Sequence, residues 1–152
     1  MKRRIEDGCQ KSEDGRLRAH MERKRIKNVR DLEVYNLSYE LAMKIFSITK
    51  KFPKEEIYSL VDQIRRSSRS VAINIREGYA KRKYENVFIR HLNDSLGSSE
   101  ETRGWLDFGR DCGYMTEEQH RELDAQYDSI NAMLFSLMNR WHSFEKSVCE
   151  GR

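Results

Sequence analysis

Four cations recur at helical spacing in the middle of the chain and could bind phosphate. Arg65, Arg69, Arg76 and Lys83 are separated by 4, 7 and 7 residues. At about 100° per residue, these positions fall within about 40° of one another on a helix, so they predict one stripe of positive charge. Guanidinium groups stay charged and can donate two parallel hydrogen bonds to a phosphate. The pattern therefore favours a nucleic-acid backbone as ligand.

Further cations extend this stripe into a basic block. Residues 65–90 carry eight Lys and Arg against two Asp and Glu. The predicted nucleic-acid-binding residues are Arg65, Arg66, Arg69, Arg76, Lys81, Arg82, Lys83 and Arg90. Aromatic residues do not interleave this patch, so we expect salt-dependent binding to RNA or DNA phosphates with little sequence preference.

Two other interpretations of the stripe stay open. The arginines could pair with acidic residues of the next helix, such as Asp94, Glu100 or Asp107, or with acids of a neighbouring subunit. They could also form a plain solvated surface. Either interpretation would remove the argument for a phosphate ligand.

The sequence offers little support for catalysis. The chain has no P-loop, no G-x-G-x-x-G, no H-E-x-x-H and no paired Glu-x-x-His of a di-iron bundle. No histidine follows an arginine at the spacing of five to seven residues used by one class of helical ribonucleases. The histidines lie far apart, at His20, His91, His120 and His142. We therefore expect no catalytic residue, metal or cofactor, and a nuclease is the least favoured function.

The elements that position the basic block are predicted to be helices. The chain has a single proline, Pro53, among 152 residues. The first helix should begin at Asp31 as N-cap and end before Pro53, and the second should start directly after it. The third should run from about Tyr84 to Cys112, and the fourth should follow a capping box formed by Thr116 and Gln119.

Apolar or small residues recur at steps of three and four along each predicted helix. The first seam consists of Leu32, Tyr35, Tyr39, Ala42 and Phe46. The second consists of Ile57, Val61, Ile64, Ser68, Val71, Ile75 and Gly78. The third consists of Phe88, Leu92, Ser95, Ser99, Thr102, Leu106 and Gly109. The fourth consists of Leu123, Tyr127, Ile130, Leu134, Leu137, Trp141, Phe144 and Val148.

These patterns predict an all-α protein, an antiparallel up-down four-helix bundle over residues 30–148. Residues 1–29 carry ten basic and five acidic side chains and few apolar ones, so we expect a basic, flexible N-terminal extension. No apolar run approaches the roughly 20 residues of a membrane span, and no apolar segment near the start predicts a secretory signal. Three cysteines without C-x-x-C spacing suit a reducing compartment, so we expect a cytoplasmic location.

Several short motifs occur in a recognisable order. They are DLEVY at residues 31–35, FP at 52–53, QIRRSS at 63–68, NIREG at 74–78, GS at 97–98 and GY at 113–114. Together they resemble the family of four-helix-bundle proteins encoded in intervening sequences of bacterial 23S rRNA genes, called ribosomal-protein-like. The accessory variability determinants of diversity-generating retroelements are related to that family. The resemblance covers roughly residues 29–142, and the chain departs from the family pattern at Tyr35, Ser59, Ala72 and Arg76.

The resemblance implies a ring-shaped homopentamer that associates with nucleic acid or the ribosome without established catalysis. Structured RNA such as rRNA is the favoured ligand. The alternative is an accessory protein-interaction module whose basic face docks a partner such as a reverse transcriptase.

A second set of residues is predicted to form the interface between copies. Ile73 falls almost opposite the core seam of the second helix, and Tyr58 falls on the same side. Asn74, Glu77 and Gly78 complete the predicted oligomer interface. For these three, a polar functional site and a helix–helix contact within one chain are the other interpretations, and both apply equally to the small residues at 97 and 98.

Overall fold

The computed structural model describes residues 26–149, and their side chains as far as Trp141. Four α-helices make up most of this part: α1 (Glu33–Thr49), α2 (Leu60–Ala80), α3 (Glu85–Asp111) and α4 (Glu117–Cys149). Residues 26–149 contain no strand. Each helix packs against its neighbours in the chain, and α4 closes the arrangement against α1. The predicted all-α, up-down four-helix bundle is confirmed.

The start of α1 differs from the prediction. Asp31 ends a 3-10 turn, Val29–Asp31, and its carboxylate accepts a hydrogen bond from the backbone N–H of Asn28 at 2.9 Å. Asp31 therefore caps this turn, and α1 begins two residues later at Glu33. Val29, the last residue of the predicted extension, is buried in the core. Residues 1–25 of that extension lie outside the described part of the chain.

The predicted seam of α1 is partly wrong. Tyr39 is 56% exposed and Phe46 is only half-buried. The buried face consists of Val34, Tyr35, Ser38, Leu41, Ala42, Ile45 and Thr49. Two adjacent apolar stripes run along this helix, and the sequence pattern does not determine which one faces the core. The exposed stripe contains Tyr39, Met43 and Phe46, and its Phe46 ring contacts Arg65 of α2.

The start of α2 is also later than predicted. A 3-10 turn, Lys54–Glu56, follows Pro53, and Ile57 is 46% exposed rather than part of the core. The Glu56 carboxylate accepts hydrogen bonds from the Ser59 hydroxyl and, at 3.0 Å, from the Tyr114 hydroxyl. These bonds stabilise the ionised form and lower the pKa of Glu56 below its ordinary value.

The contact between α2 and α3 is made by small and hydroxyl-bearing residues. The Ser95 hydroxyl donates to the carbonyl of Val71 at 2.9 Å, and the Thr102 hydroxyl donates to Ser67 at 2.9 Å. A Cβ added at Gly78 would lie 2.7 Å from Cβ of His91, closer than carbon atoms approach. The predicted seam of α3 is buried at every position.

The connection into α4 forms as predicted. Gly113 has φ +76°, which suits glycine after a helix end. Gln119 N–H donates to the Thr116 hydroxyl at 3.1 Å and the Gln119 side chain accepts from Thr116 N–H at 3.0 Å. The seam of α4 is buried from Leu123 to Leu137, and Trp141 packs half-buried against it. The predicted seam residues Phe144 and Val148 have side chains outside the described part.

One bidentate ion pair ties α3 to α4. Arg103 Nε donates to Asp124 Oδ1 at 2.7 Å, and Arg103 Nη2 donates to Asp124 Oδ2 at 3.2 Å. This hydrogen bonding lowers the pKa of the Asp124 carboxyl and raises the pKa of the guanidinium.

Replacing glycine by alanine should change the free energy of unfolding in opposite directions at two positions of this bundle. Gly78→Ala should lower the free energy of unfolding by about 1–3 kcal/mol, because the methyl group overpacks the α2–α3 contact. Gly97→Ala should raise it by about 0.5–1 kcal/mol, since nothing in the described chain lies within 4 Å of the new Cβ. Urea unfolding of both variants measures the difference. Loss of stability in Gly97→Ala would contradict an open helix surface and indicate a second copy packed there.

The Arg103–Asp124 pair predicts a pH-dependent contribution to stability. A carboxyl with a lowered folded-state pKa stabilises the fold above its unfolded value of about 4 and loses this as pH falls through the folded value. Asp124→Asn should therefore cost about 1 kcal/mol at pH 7 and much less at pH 3. The control is Asp128→Asn, which removes a more exposed carboxylate 3.7 Å from Arg103 and should have little effect. An equal cost of Asp124→Asn at both pH values would contradict the electrostatic explanation.

Candidate nucleic-acid interface

The boundary between α1 and α2 positions three of the predicted arginines. The helices are antiparallel neighbours, so the start of α2 lies beside the end of α1. Arg65 Nε donates to the Thr49 hydroxyl at 2.8 Å, and Arg76 Nη1 donates to the Tyr35 hydroxyl at 3.3 Å. Arg69 lies between these two contacts in the register of α2. The arginine stripe therefore follows the α1–α2 boundary.

The ring of Phe46 is the centre of a cluster of cations. Lys50 Nζ and Arg65 Cζ each lie 4.7 Å from the ring centroid, and Arg69 Cζ lies 5.8 Å from it. The negative face of an aromatic ring attracts cations without neutralising them. Phe46 thus holds three positive groups together while their charge remains available. We call Phe46, Lys50, Arg65, Arg69 and Arg76 the arginine face.

The stripe arginines differ from Arg103 and Arg110 of α3 in their partners. Arg103 pairs with Glu100 and Asp124, and Arg110 pairs with Asp107 and Asp111. In contrast, no carboxylate of the described residues forms an ion pair with Arg65, Arg69 or Arg76. Among the described residues, the acids of α3 therefore do not pair with the stripe, and two of them, Glu100 and Asp107, pair with arginines of α3 itself.

The other predicted binding residues lie apart from the arginine face. Arg66 is exposed and lies 3.7 Å from Asp62 on the same helix. Lys81 Nζ lies 3.3 Å from His91 Nε2, and the guanidinium of Arg82 stacks at 4.1 Å from the Tyr79 ring centroid.

The predicted alignment of Lys83 with the stripe is wrong. The α2 helix ends at Ala80, so helical spacing does not extend to residue 83. Lys83 is exposed in the turn that follows, and Arg90 is exposed in the second turn of α3. The basic block is thus divided into the arginine face and a second cationic group around the α2–α3 turn. Whether these residues bind nucleic acid stays a prediction.

Aromatic residues do interleave the patch, contrary to the sequence prediction. They come from α1, the helix next to α2. The ring of Phe46 contacts Arg65, and the hydroxyl group of Tyr35 accepts a hydrogen bond from Arg76. On the same stripe of α1, Tyr39 is 56% exposed and Met43 is 47% exposed. The 3–4 spacing from Tyr35 to Phe46 marks this stripe in the sequence, but the same spacing is typical of a core seam. Because α1 and α2 are separate in sequence, the spacing does not indicate that the stripe borders the arginines.

The predicted oligomer residues divide between surface and core. Tyr58 is 93% exposed and Ile73 is 52% exposed. The Asn74 side chain donates to the carbonyl of Ser70 at 3.0 Å, and Glu77 is exposed. Gly78 is buried against α3 and makes a contact within the chain, which corrects its assignment to the oligomer interface. The rest of the set stays a prediction.

The small residues Gly97 and Ser98 also differ in their contacts. The Ser98 hydroxyl donates to Ser70 at 2.9 Å and so joins α3 to α2. Gly97 is exposed, and no other part of the described chain approaches it within 4 Å.

Metal-binding geometry does not occur in the described residues, where no three His, Cys, Asp or Glu side chains gather as metal ligands would. The shortest His–carboxylate contact there joins His120 Nε2 to Asp107 Oδ1 at 2.7 Å, with His120 buried and Arg110 beside it. In that same part of the chain, no helix combines the length and apolar character that a bilayer span requires.

Comparisons with known proteins agree with this architecture. The model of the family described as 23S rRNA-intervening sequence protein matches residues 30–136. A crystal structure of a protein of unknown function from the S23 ribosomal protein family of Bacteroides thetaiotaomicron is similar, with a TM-score of 0.64 and 31% sequence identity. The match covers 70% of this chain and 95% of that one. The comparison with curated proteins finds no match. The helical bundle and the family match together show that this chain belongs to the 23S rRNA-intervening sequence protein family.

Proposed function

We propose that this protein binds the phosphate backbone of nucleic acid through the arginine face and has no catalytic role. The observation that carries the proposal is the absence of carboxylate partners for Arg65, Arg69 and Arg76 among the described residues. Arg103 and Arg110 on α3 and Arg121 on α4 do have such partners, so a shortage of acidic residues does not explain the difference.

The contacts of these arginines favour an anionic ligand. Thr49, Tyr35 and Phe46 hold the guanidinium groups through a hydroxyl oxygen or an aromatic ring. Such partners restrict the side chains but leave the positive charge uncompensated. Side chains that are already ordered lose less conformational entropy when they bind. A row of restrained, uncompensated guanidinium groups is suited to successive phosphates.

RNA is the favoured nucleic acid, and structured RNA such as rRNA is its favoured source. The support is the family description, which refers to sequences that interrupt 23S rRNA. The alternative is an acidic or RNA-bound protein partner, such as a reverse transcriptase, which would use the same charges; failure of RNA to bind in the experiment below would favour it.

We also propose that the chain assembles with copies of itself, as a pentamer by resemblance to the family. Ile73 and Tyr58 are the apolar side chains that would be covered, and both are exposed in the single chain. Ile73 adjoins the arginine face on the outer side of α2. A ring would repeat that face and strengthen a weak contact through multivalency.

Removal of the stripe charges should reduce both affinity for RNA and its salt dependence. In the triple variant Arg65→Gln/Arg69→Gln/Arg76→Gln, the slope of log affinity against log salt should decrease by about 2–3, because each lost phosphate contact contributes about 0.7–0.9. Fluorescence anisotropy with a labelled rRNA fragment at several salt concentrations measures this.

The matched control removes three positive charges elsewhere. Lys44 and Arg121 are paired with Glu122 and Glu118, and Arg140 is exposed on α4. Lys44→Gln/Arg121→Gln/Arg140→Gln should keep the wild-type slope to within about 1. Equal losses in both triple variants would mean that net charge alone drives binding. Wild-type affinity that does not vary with salt would contradict the proposal outright.

If copies of the chain associate through Ile73, a single substitution at this residue should abolish the assembly. Light scattering after size exclusion should give the wild type a mass several times the 18.2 kDa of one chain. Ile73→Asp should give the monomer mass, because a carboxylate would be desolvated in the contact. Phe135→Asp, at a position that is also 52% exposed but on α4, should leave the assembly intact. A monomeric wild type, or an Ile73→Asp variant of unchanged mass, would overturn this part.

A further inference from the structure

We infer that the arginine face takes an unpaired nucleic-acid strand, with bases packed against the exposed Tyr39 and Met43 of α1. The inference rests on the proposed function and specifies the form of nucleic acid that the face binds. It derives from a juxtaposition that only the fold creates: an exposed apolar stripe on α1 borders a row of arginines on α2 without carboxylate partners in the described chain.

Two contacts define the length of this surface. The Arg65–Thr49 bond marks one end of the α1–α2 boundary, and the Arg76–Tyr35 bond marks the other. The fourteen residues of α1 between Tyr35 and Thr49 span about 21 Å at about 1.5 Å per residue. That length accommodates several nucleotides of a single strand.

The exposed side chains of α1 lie within this span. Tyr39 and Met43 precede Phe46 by seven and three residues, which places all three on one side of the helix. Tyr39 and Met43 are 56% and 47% exposed. Apolar side chains at such positions could pack against a flat ligand. An open depression of about 330 Å³ beside Tyr39, lined also by Arg30, Asn36 and Glu40, leaves room for one.

The two rows of side chains, cationic on α2 and apolar on α1, correspond to the phosphates and the bases of a single strand. An unpaired strand presents a phosphate and a planar base at every nucleotide, and each base has a π face that stacks on aromatic rings. Arginines on α2 match the phosphates, whereas Tyr39 and Met43 on α1 match the bases. A duplex hides its base faces within its own stack, so it would use the arginines and leave Tyr39 without a contact.

Phe46 acts on the ligand through the cations and is a positioning residue. Its ring lies within 6 Å of Lys50, Arg65 and Arg69, and it is less exposed than Tyr39. Phe46→Tyr retains the ring and should retain binding. Phe46→Leu keeps an apolar side chain but loses the ring face, so it should weaken binding to every phosphate-bearing probe to a similar degree.

The experiment compares three probes of equal phosphate number. They are a labelled 20-nucleotide oligouridylate, an abasic oligomer of the same length, and a duplex with the same total number of phosphates. Tyr39→Ala should weaken binding of the oligouridylate about 5- to 10-fold and leave the other two probes within about twofold. Tyr39→Phe, which keeps the ring, should match the wild type on all three. Phe135→Ala removes an exposed ring on α4 and should change nothing.

The outcomes distinguish this inference from the function on which it rests. If the wild type binds the abasic oligomer as tightly as the oligouridylate, or Tyr39→Ala weakens all probes equally, base stacking is wrong while phosphate binding stands. If no probe binds, or the triple arginine variant binds all of them like the wild type, the proposed function itself is wrong. Thermal unfolding of each variant shows whether the fold is retained.

Discussion

The close contact between α2 and α3 is the constraint on which the rest of the structure depends. Small and hydroxyl-bearing residues line it, and Gly78 leaves no room for a Cβ. The hydrogen bonds from Ser95 to the backbone of α2 and from Thr102 to Ser67 fix the helices along and around their axes. Because that side of α2 is buried against α3, its arginines face outward along the other flank, beside α1.

Charged side chains have different partners on the two flanks of the bundle, the first formed by α3 and α4 and the second by the α1–α2 boundary. On α3 and α4, Arg103, Arg110 and Arg121 pair with carboxylates, and Arg103 with Asp124 is the best-formed pair. At the α1–α2 boundary, the cations meet an aromatic ring and two hydroxyl groups instead. Ion pairs stabilise the fold on the first flank, whereas the charge on the second flank is available to the proposed nucleic-acid ligand. The net charge of +4 conceals this contrast, because it sums both flanks together with residues 1–30, where basic side chains outnumber acidic ones.

The sequence predicted the bundle well where one pattern was unambiguous. The α3 seam, the glycine at 113 and the capping box before α4 followed from local rules that tertiary packing did not override. The α1 seam was predicted less well, because Tyr39 belongs to one of two neighbouring apolar stripes. Ile57 was misplaced because proline sets the backbone for a turn as readily as for a helix start. The arginine stripe could be recognised, but its aromatic neighbours could not, since they lie roughly 20 to 40 residues away on another helix.

The central claim is that nucleic acid lies along the α1–α2 boundary, and crosslinking tests it most directly. A 4-thiouridine oligonucleotide would be crosslinked to the full-length wild-type protein with ultraviolet light, and the modified peptides identified by mass spectrometry. The account predicts crosslinks within residues 39–50 and 65–76, which together contain the exposed stripe of α1 and the arginines of α2. Crosslinks confined to α3 and α4, with both of these segments unmodified, would contradict it.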